Sequence, residues 1–315
     1  MLSNGGCVAR AVVIGGSGFI GSHLVDALVR AGHEVTAFDR FSGDHVLFSE
    51  RASILRGDFL SHSDLEAAVE GQDLVFHFLS TTTPATAEND PTFDIRTNLV
   101  QTVELLESAV HARVKHVYFA STGGAIYGMQ GKGEYSETDR AMPISPYGIG
   151  KLTIEHYLRY FAVKHSLAST TFRISNPYGT RQHANRKQGL IPIALRDISL
   201  GQPVTRFGDG SMVRDYIYVN DVVEMITRMV GHKTRYDLYN LGSGRGYTVN
   251  EIFDSLRRVT GIDFAIDARP TPPTFVDRVV LNVDRYTDEF GAASLTGLDE
   301  GVRAIYEEIQ RQLHE

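Results

Sequence analysis

Seven residues near the start, Gly15-Gly16-Ser17-Gly18-Phe19-Ile20-Gly21, constrain this chain more than any other stretch. They follow an apolar, β-branched run, Val8 to Ile14, that reads as a buried strand, and they open a helix, Phe19 to Ala31. That helix has Ile20, Leu24, Leu28 and Ala31 at helical spacing and Gly32 as its stop. Glycines are needed where the backbone must turn sharply, approach a pyrophosphate, and let a helix pack on a strand. The helix N-terminus adds free N–H groups and the positive end of a dipole. Glycine-rich turns occur in many loops. A strand before and a helix after are the context that a nucleotide-binding turn requires.

The alternation continues. Glu34 to Phe38 reads as a second strand ending at Asp39, Ser53 to Arg56 as a third, and Leu74 to Leu79 as a fourth. Lys115 to Ala120 is a fifth and Thr170 to Ile174 a sixth. Helices fall at Ser63 to Glu70, about Asn98 to Ala112, and Ile149 to His165. Continuous apolar strands separated by helices predict a parallel sheet covered on both faces. Beyond Asn176 glycines and prolines become frequent, and the basic stretch Arg181 to Lys187 reads as a loop. Tyr216 to Val219, a helix Val222 to Val230, and Leu238 to Leu241 read as a return to the sheet. The last helix is about Leu298 to Leu313. The expected fold is α/β, a doubly wound parallel Rossmann sheet with a smaller α/β C-terminal substrate domain. Residues 1–175 plus about 216–244 form the dinucleotide domain, and about 176–215 with 245–315 the substrate domain.

A formal net charge of -7 argues against nucleic acid as a partner, since phosphate neutralisation needs a basic surface. The twelve histidines fall in no metal-binding spacing, so no metal is expected. A single cysteine, Cys7, forbids an internal disulfide and fits a reducing cytoplasm. No apolar run is long enough to span a bilayer, and the first ten residues lack the build of a secretory leader.

At the nucleotide end, Gly15, Gly18, Phe19, Ile20 and Gly21 would meet the pyrophosphate. Asp39 ends the second strand, where a carboxylate bonds the ribose hydroxyls and repels a 2′-phosphate. That favours NAD over NADP; Arg40 beside it pulls the other way. Asp58-Phe59 either meets the adenine or is a simple turn, and Leu79-Ser80-Thr81-Thr82 would line the cofactor ribose.

Tyr147 and Lys151 stand four apart, on one face of a helix. An ammonium beside a phenol is expected to stabilise the phenolate and lower the tyrosine pKa, making a base for a sugar or alcohol hydroxyl. Strand five ends in Ala120-Ser121-Thr122, so Ser121 or Thr122 would hydrogen-bond the reacting hydroxyl. A YxxxK pair alone is usually a surface pair, and a Ser-Thr at a strand end is usually turn chemistry. The three together, in this order, are far more specific.

With these motifs, nearly the whole chain resembles the extended short-chain dehydrogenase/reductases of the nucleotide-sugar epimerase/dehydratase group, and within it UDP-glucose 4-epimerase-like enzymes. Arg173 to Gln182, Gly208-Asp209-Gly210, Arg214 to Val219 and Asn240 to Gly244 carry the likeness further. The resemblance implies an NAD-dependent enzyme that inverts C4 of a UDP-sugar through a 4-keto intermediate. It makes Tyr147 the base and Thr122 its hydroxyl partner. Lys151 lowers the tyrosine pKa and holds the nicotinamide ribose. Asn98 and Ile174 join the cofactor contacts, and Asn176 and Arg214 hold the substrate diphosphate. Thr82, Gly123, Gly124, Gly189 and Leu190 line the sugar, and either Arg269 or Arg278 is the second phosphate arginine. Arg181 and Arg186 either face a sugar carboxylate or belong to a solvated loop. The group's dehydratases carry an Asp-Glu pair after the strand-end threonine, and its decarboxylases keep a glutamate there. This chain has Gly123-Gly124 instead, which favours epimerisation over those reactions. Decarboxylation, ketoreduction, and a non-catalytic dinucleotide-binding regulator are the other readings; such regulators usually lack the YxxxK pair. Members of the group pair as homodimers through the YxxxK helix and the helix before strand five. Leu99, Val103, Leu106 and Val110 give the latter an apolar face that either such a contact or its own sheet would bury.

Overall fold

The structure, a computed structural model, describes residues 8–42, 48–182, 189–272 and 276–314. In chain order the strands begin β1 (Arg10–Ile14), β2 (Glu34–Asp39), β3 (Ser53–Arg56), β4 (Leu74–His77), β5 (His116–Thr122), β6 (Glu134–Tyr135) and β7 (Ala168–Ile174). They continue β8 (Asn176–Tyr178), β9 (Val204–Phe207), β10 (Val213–Tyr218), β11 (Leu238–Leu241), β12 (Gly246–Thr248), β13 (Ile266–Arg269) and β14 (Arg278–Leu281). The helices begin α1 (Phe19–Arg30), α2 (His62–Val69), α3 (Pro84–Asn89), α4 (Pro91–Asp94), a π-helical stretch (Ile95–Val100) and α5 (Gln101–His111). They continue α6 (Gly123–Ile126), α7 (Pro146–His165), α8 (Leu190–Ser199), α9 (Val219–Met229), α10 (Val249–Thr260), α11 (Asp284–Phe290) and α12 (Leu298–His314). The chain forms two compact units. One holds Met1–Thr122, Ser145–Arg173 and Val223–Tyr239; the other holds Gly123–Ile144, Ile174–Val222 and Asn240–Glu315.

The first unit is built on a seven-stranded sheet of order β11-β7-β5-β4-β1-β2-β3. Its registers around β1 are parallel, with Ile14 opposite both Phe38 and His77. The order reverses at β1, the arrangement that places a crevice at the strand C-termini of a doubly wound sheet. Ala11 to Ile14 are fully buried, as a run without polar alternation demands of a central parallel strand. One face of the sheet is covered by α2, α5 and α7, whose Leu65, Leu105, Leu106, Ile154 and Leu158 pack on Val75, Val117 and Phe119. Truncating Leu106 to alanine would cost about 2–5 kcal/mol.

Local chemistry sets the helix ends. Ser145 caps α7 by accepting from Gly148 N, and Pro146 stands at its first position, so the helix begins before Tyr147. The helix expected over Asn98 to Ala112 begins earlier, at Pro91, and passes through the π-helical stretch that contains Asn98.

The second unit has a sheet of order β12-β10-β14-β6, with β8 also on β10, and a separate β9–β13 pair. Tyr216 to Val219 therefore does not return to the first sheet. Its strand starts at Val213 and pairs with β8, β12 and β14. Helices α8, α10 and α12 share a core of Ile191, Leu195, Ile252, Phe253, Leu256, Val302 and Ile305. A Thr248–Glu251 capping box opens α10 and Gly261, at φ 69°, closes it.

Candidate active site

The glycine turn is a cradle with no room for side chains. Gly15 lies at φ 89°, and a Cβ there would sit 2.8 Å from Leu79 N. A Cβ on Gly21 would lie 2.0 Å from the Gly15 carbonyl oxygen. Gly18 caps α1 without a side-chain hydrogen bond, and no acidic residue stands in the first turn. The N–H groups of that turn thus face outward with a positive dipole end and no built-in anion. Asp39 accepts from Ser17 N at 3.2 Å and from Arg40 N at 2.8 Å, which fixes a carboxylate beside the turn. Arg40 itself is exposed. These residues fit a dinucleotide whose ribose carries free hydroxyls.

Asp58 behaves as a turn residue: its carboxylate accepts from Leu60 N at 3.0 Å. Phe59 is a core residue, 2% exposed and tilted on His77 at 5.3 Å between ring centroids. The strand-four end is polar and knitted together. Thr81 N donates to Asn98 Oδ1 at 2.9 Å, and Ser80 Oγ donates to Thr82 O at 2.9 Å. Leu79 packs against the first-unit core.

At the chemical end, Lys151 Nζ donates to the Ala120 carbonyl at 2.9 Å. It also lies 4.7 Å from the Phe119 ring centroid and 5.8 Å from that of Tyr147. Burial is the largest influence on both groups. Burial, with Asp94 adding to it, pushes the Tyr147 phenol up to about 12. Burial pulls the Lys151 ammonium down to about 8, against the opposing pull of Asp94 and Glu155. Desolvation wins because the ammonium is spent on a carbonyl and is not bonded to the phenol.

Ser121 Oγ donates to Glu155 Oε1 at 2.5 Å. Glu155 also takes Arg173 Nη2 at 2.8 Å and Nε at 3.2 Å. Thr122 is the last residue of β5.

Asp94 was missed by the sequence reading. It is 3% exposed and accepts from Thr82 Oγ1 and from Asn98 Nδ2. A narrow crevice is lined by Ser80, Asp94, Asn98, Tyr147, Gly150 and Lys151 among others. Asp94 precedes Asn98 by one helical turn, a signal readable only once the helix is started at Pro91. Glu155 follows Lys151 by four residues, so its place on the same face was readable.

In the second unit, Gly123 and Gly124 open α6. A Cβ on Gly123 would lie 2.4 Å from Leu281 Cδ1, and one on Gly124 would lie 3.5 Å from Asn176 Oδ1. Asn176 Nδ2 donates to Asp215 O at 3.1 Å. Arg214 Nη1 donates to Val213 O at 2.9 Å, and burial lowers the guanidinium pKa. Arg278 lies opposite Val213, and Arg214 opposite Val279. Alternation along a strand then sends the two guanidiniums to opposite faces of the β10–β14 pair. Arg269 is paired with Asp267 at 2.7 Å. Arg181 N donates to Glu308 Oε2 at 2.9 Å, and Gly189, at φ 91°, precedes Leu190 at the start of α8. Ile174 ends β7 and is buried. Arg186 lies outside the described residues. Asp215, fully buried, accepts from Ser243 N and Oγ, Gly244 N and Leu281 N. Among the described residues no group of three or more His, Cys, Asp or Glu side chains is placed to hold a metal ion. No helix among them is long and apolar enough to cross a membrane.

The chain is similar to known proteins over most of its length. The family described as the NAD dependent epimerase/dehydratase family matches residues 11–242. A UDP-glucose 4-epimerase of Mycolicibacterium smegmatis is 30% identical, over 95% of this chain and 97% of its own length. The crystal structure of UDP-glucose 4-epimerase from Thermotoga maritima with UDP-glucose superposes with a TM-score of 0.91 at 34% identity, covering 96% of this chain and 99% of that one. The Thermus thermophilus UDP-glucose 4-epimerase complex with NAD gives 0.89 at 31% identity, covering 96% and 99%. The chain is an enzyme that belongs to the NAD dependent epimerase/dehydratase family, with NAD as its cofactor.

Proposed function

We propose that the enzyme inverts C4 of a UDP-sugar. The observation that supports this reading is the Lys151 ammonium, four residues after Tyr147 on α7, bonded to the Ala120 carbonyl of β5; in sequence, Thr122 is followed by two glycines where elimination would need acid side chains. NAD, when bound, supplies a hydride acceptor that is also the donor for the return step. Tyr147 takes the proton of the sugar 4-OH as the C4 hydride leaves. The 4-keto sugar then presents its other face, receives the hydride back, and recovers the proton from Tyr147. Atoms and electrons balance over the cycle, and no outside oxidant is consumed. Thr122 hydrogen-bonds the reacting oxygen, Lys151 holds the nicotinamide ribose, and Asn176 with Arg214 holds the diphosphate. A guanidinium is the physically favoured clamp for a phosphate, and that of Arg214 is half-buried.

A homodimer formed through α7 accompanies this reading. Ile149, Tyr157, Tyr160 and Val163 of α7 are exposed, Val163 at 82%, and so are Ile95 and Val100 before α5. Leu99, Val103, Leu106 and Val110 instead pack on their own core. A cytoplasmic setting fits the single cysteine.

The test is proton NMR of UDP-glucose, UDP-N-acetylglucosamine and UDP-glucuronate incubated with the enzyme. Inversion at C4 of at least one is expected, and Tyr147→Phe is expected to slow it by about 10²–10⁴-fold. If none inverts and none displaces a bound uridine nucleotide, the reading is wrong. Loss of carbon dioxide from the uronate would instead mark a decarboxylase. Light scattering at several concentrations tests the dimer, with Val163→Glu expected to yield monomer.

A further inference from the structure

His77 ends β4 with its ring buried, tilted against Phe59 at 5.3 Å and Phe119 at 5.4 Å between centroids. Its Nε2 lies 2.8 Å from Thr102 Oγ1. Thr102 gives its one hydroxyl proton to the Asn98 carbonyl at 2.6 Å, so the imidazole is the donor to Thr102. The His77 proton therefore sits on Nε2. Nδ1 is a bare acceptor, buried and without a hydrogen-bond partner among the described residues. An unmatched buried nitrogen costs free energy, which a phenyl ring in the same apolar slot would not. What the imidazole alone supplies there is the N–H for Thr102.

The chain of bonds runs on to the loop after β4. Asn98 lies in the π-helical stretch, and such turns recur at functional sites. Its Oδ1 accepts from Thr81 N at 2.9 Å, and its Nδ2 donates to Thr82 Oγ1 and Asp94 Oδ1, both at 2.9 Å. Thr97 Oγ1 donates to Phe93 O at 2.8 Å, so Thr81 Oγ1 is the donor in its 2.5 Å bond to Thr97 Oγ1. Two neighbouring residues of the stretch thus hold two neighbouring residues of the loop. Ser80 of that loop lines the narrow crevice with Asn98, Tyr147 and Lys151.

We propose that His77 is a positioning residue for bound NAD: its Nε2–H fixes Thr102, Thr102 fixes the π-helical stretch, and the stretch sets the loop 80–82 that the dinucleotide meets. The imidazole itself does not touch the cofactor. A loop already set loses little freedom when the cofactor binds, which keeps affinity high. Burial lowers the His77 pKa to about 3, so the ring keeps a single proton at neutral pH. The proposal goes beyond the sugar reading and does not depend on which sugar is turned over.

The experiment is NAD binding by calorimetry to the full-length enzyme as wild type, Thr102→Val and Thr102→Ser. Valine keeps the shape of threonine without the hydroxyl; serine keeps the hydroxyl. Thr102→Val is expected to raise the dissociation constant by about tenfold, and Thr102→Ser to stay within about twofold of wild type. Hydrogen exchange at Thr81 N is expected to quicken in Thr102→Val, with the β1 amides as protected as before. A Thr102→Val enzyme with wild-type melting and unchanged NAD affinity overturns the proposal. Should Thr102→Val not fold, Thr102→Ala takes its place in the same comparison. ¹⁵N NMR of the wild-type enzyme tests the first link without any variant. The His77 ring, assigned through its contacts with Phe59 and Phe119, is expected to carry its proton on Nε2, and a proton on Nδ1 overturns the proposal. None of these measurements uses a sugar, so their failure is separate from that of the epimerase reading.

Discussion

Ser121 Oγ donates to Glu155 Oε1 at 2.5 Å, which ties the end of β5 to the third turn of α7. Glu155 is in turn bidentate with Arg173, and the two side chains are 10% and 5% exposed. Removing one partner leaves the other charge buried and unmatched. Glu155→Ala is expected to lose about 3–5 kcal/mol in urea unfolding, and the Glu155→Met/Arg173→Met pair much less.

His77 makes stability depend on acid. It is 3% exposed, and burial, with Lys151 adding to it, lowers its pKa to about 3. The unfolded chain takes that proton near 6.5. Between those values the unfolded state binds more protons, so stability rises with pH and is lost as pH falls from 6.5 towards 3. His116, lowered to about 4, acts in the same sense. Linkage through His77 amounts to roughly 4 kcal/mol at pH 3. Urea midpoints measured from pH 7 downward are expected to fall less steeply in His77→Leu than in the wild type.

Gly21→Ala tests the cradle. Its Cβ would meet the Gly15 carbonyl, so the turn must open. Overpacking of this kind costs about 1–3 kcal/mol, and NAD affinity measured by calorimetry is expected to fall by about tenfold or more.

Asp39→Asn tests cofactor choice. The carboxylate is held by Ser17 N and Arg40 N, and the exposed Arg40 stands beside it. Without the negative charge a 2′-phosphate is no longer repelled. The preference for NAD over NADP, taken as the ratio of dissociation constants, is expected to narrow by about tenfold, worth about 1.4 kcal/mol. An unchanged ratio would mean that Asp39 does not face the ribose.

The first sheet was readable because its strands are buried on both faces and announce themselves as apolar runs. Ser53–Arg56 and Leu238–Leu241 begin and end where the sequence placed them. The start of α7 was hidden by Pro146, which reads as a breaker although proline suits the first helical position. The start of β10 was hidden by Arg214-Asp215, two charged residues that a strand pattern does not predict inside a sheet. Asp215 is tolerated there because four protein donors surround its carboxylate, a condition met by residues distant in sequence. The spacing of Tyr147 and Lys151 was legible because both lie on α7, four residues apart. Asp94 was not, because its contact with α7 depends on a helix start and a chain reversal that no short window contains.

Leu281 is fully buried against Gly123. An acid introduced at 123 would have to share its space with a leucine before it could meet a substrate. Under the proposed epimerase reading, placing a carboxylate at 123 would therefore also demand a smaller residue at 281. The side chain of one leucine on β14 would make that a two-step change for an engineer or a lineage.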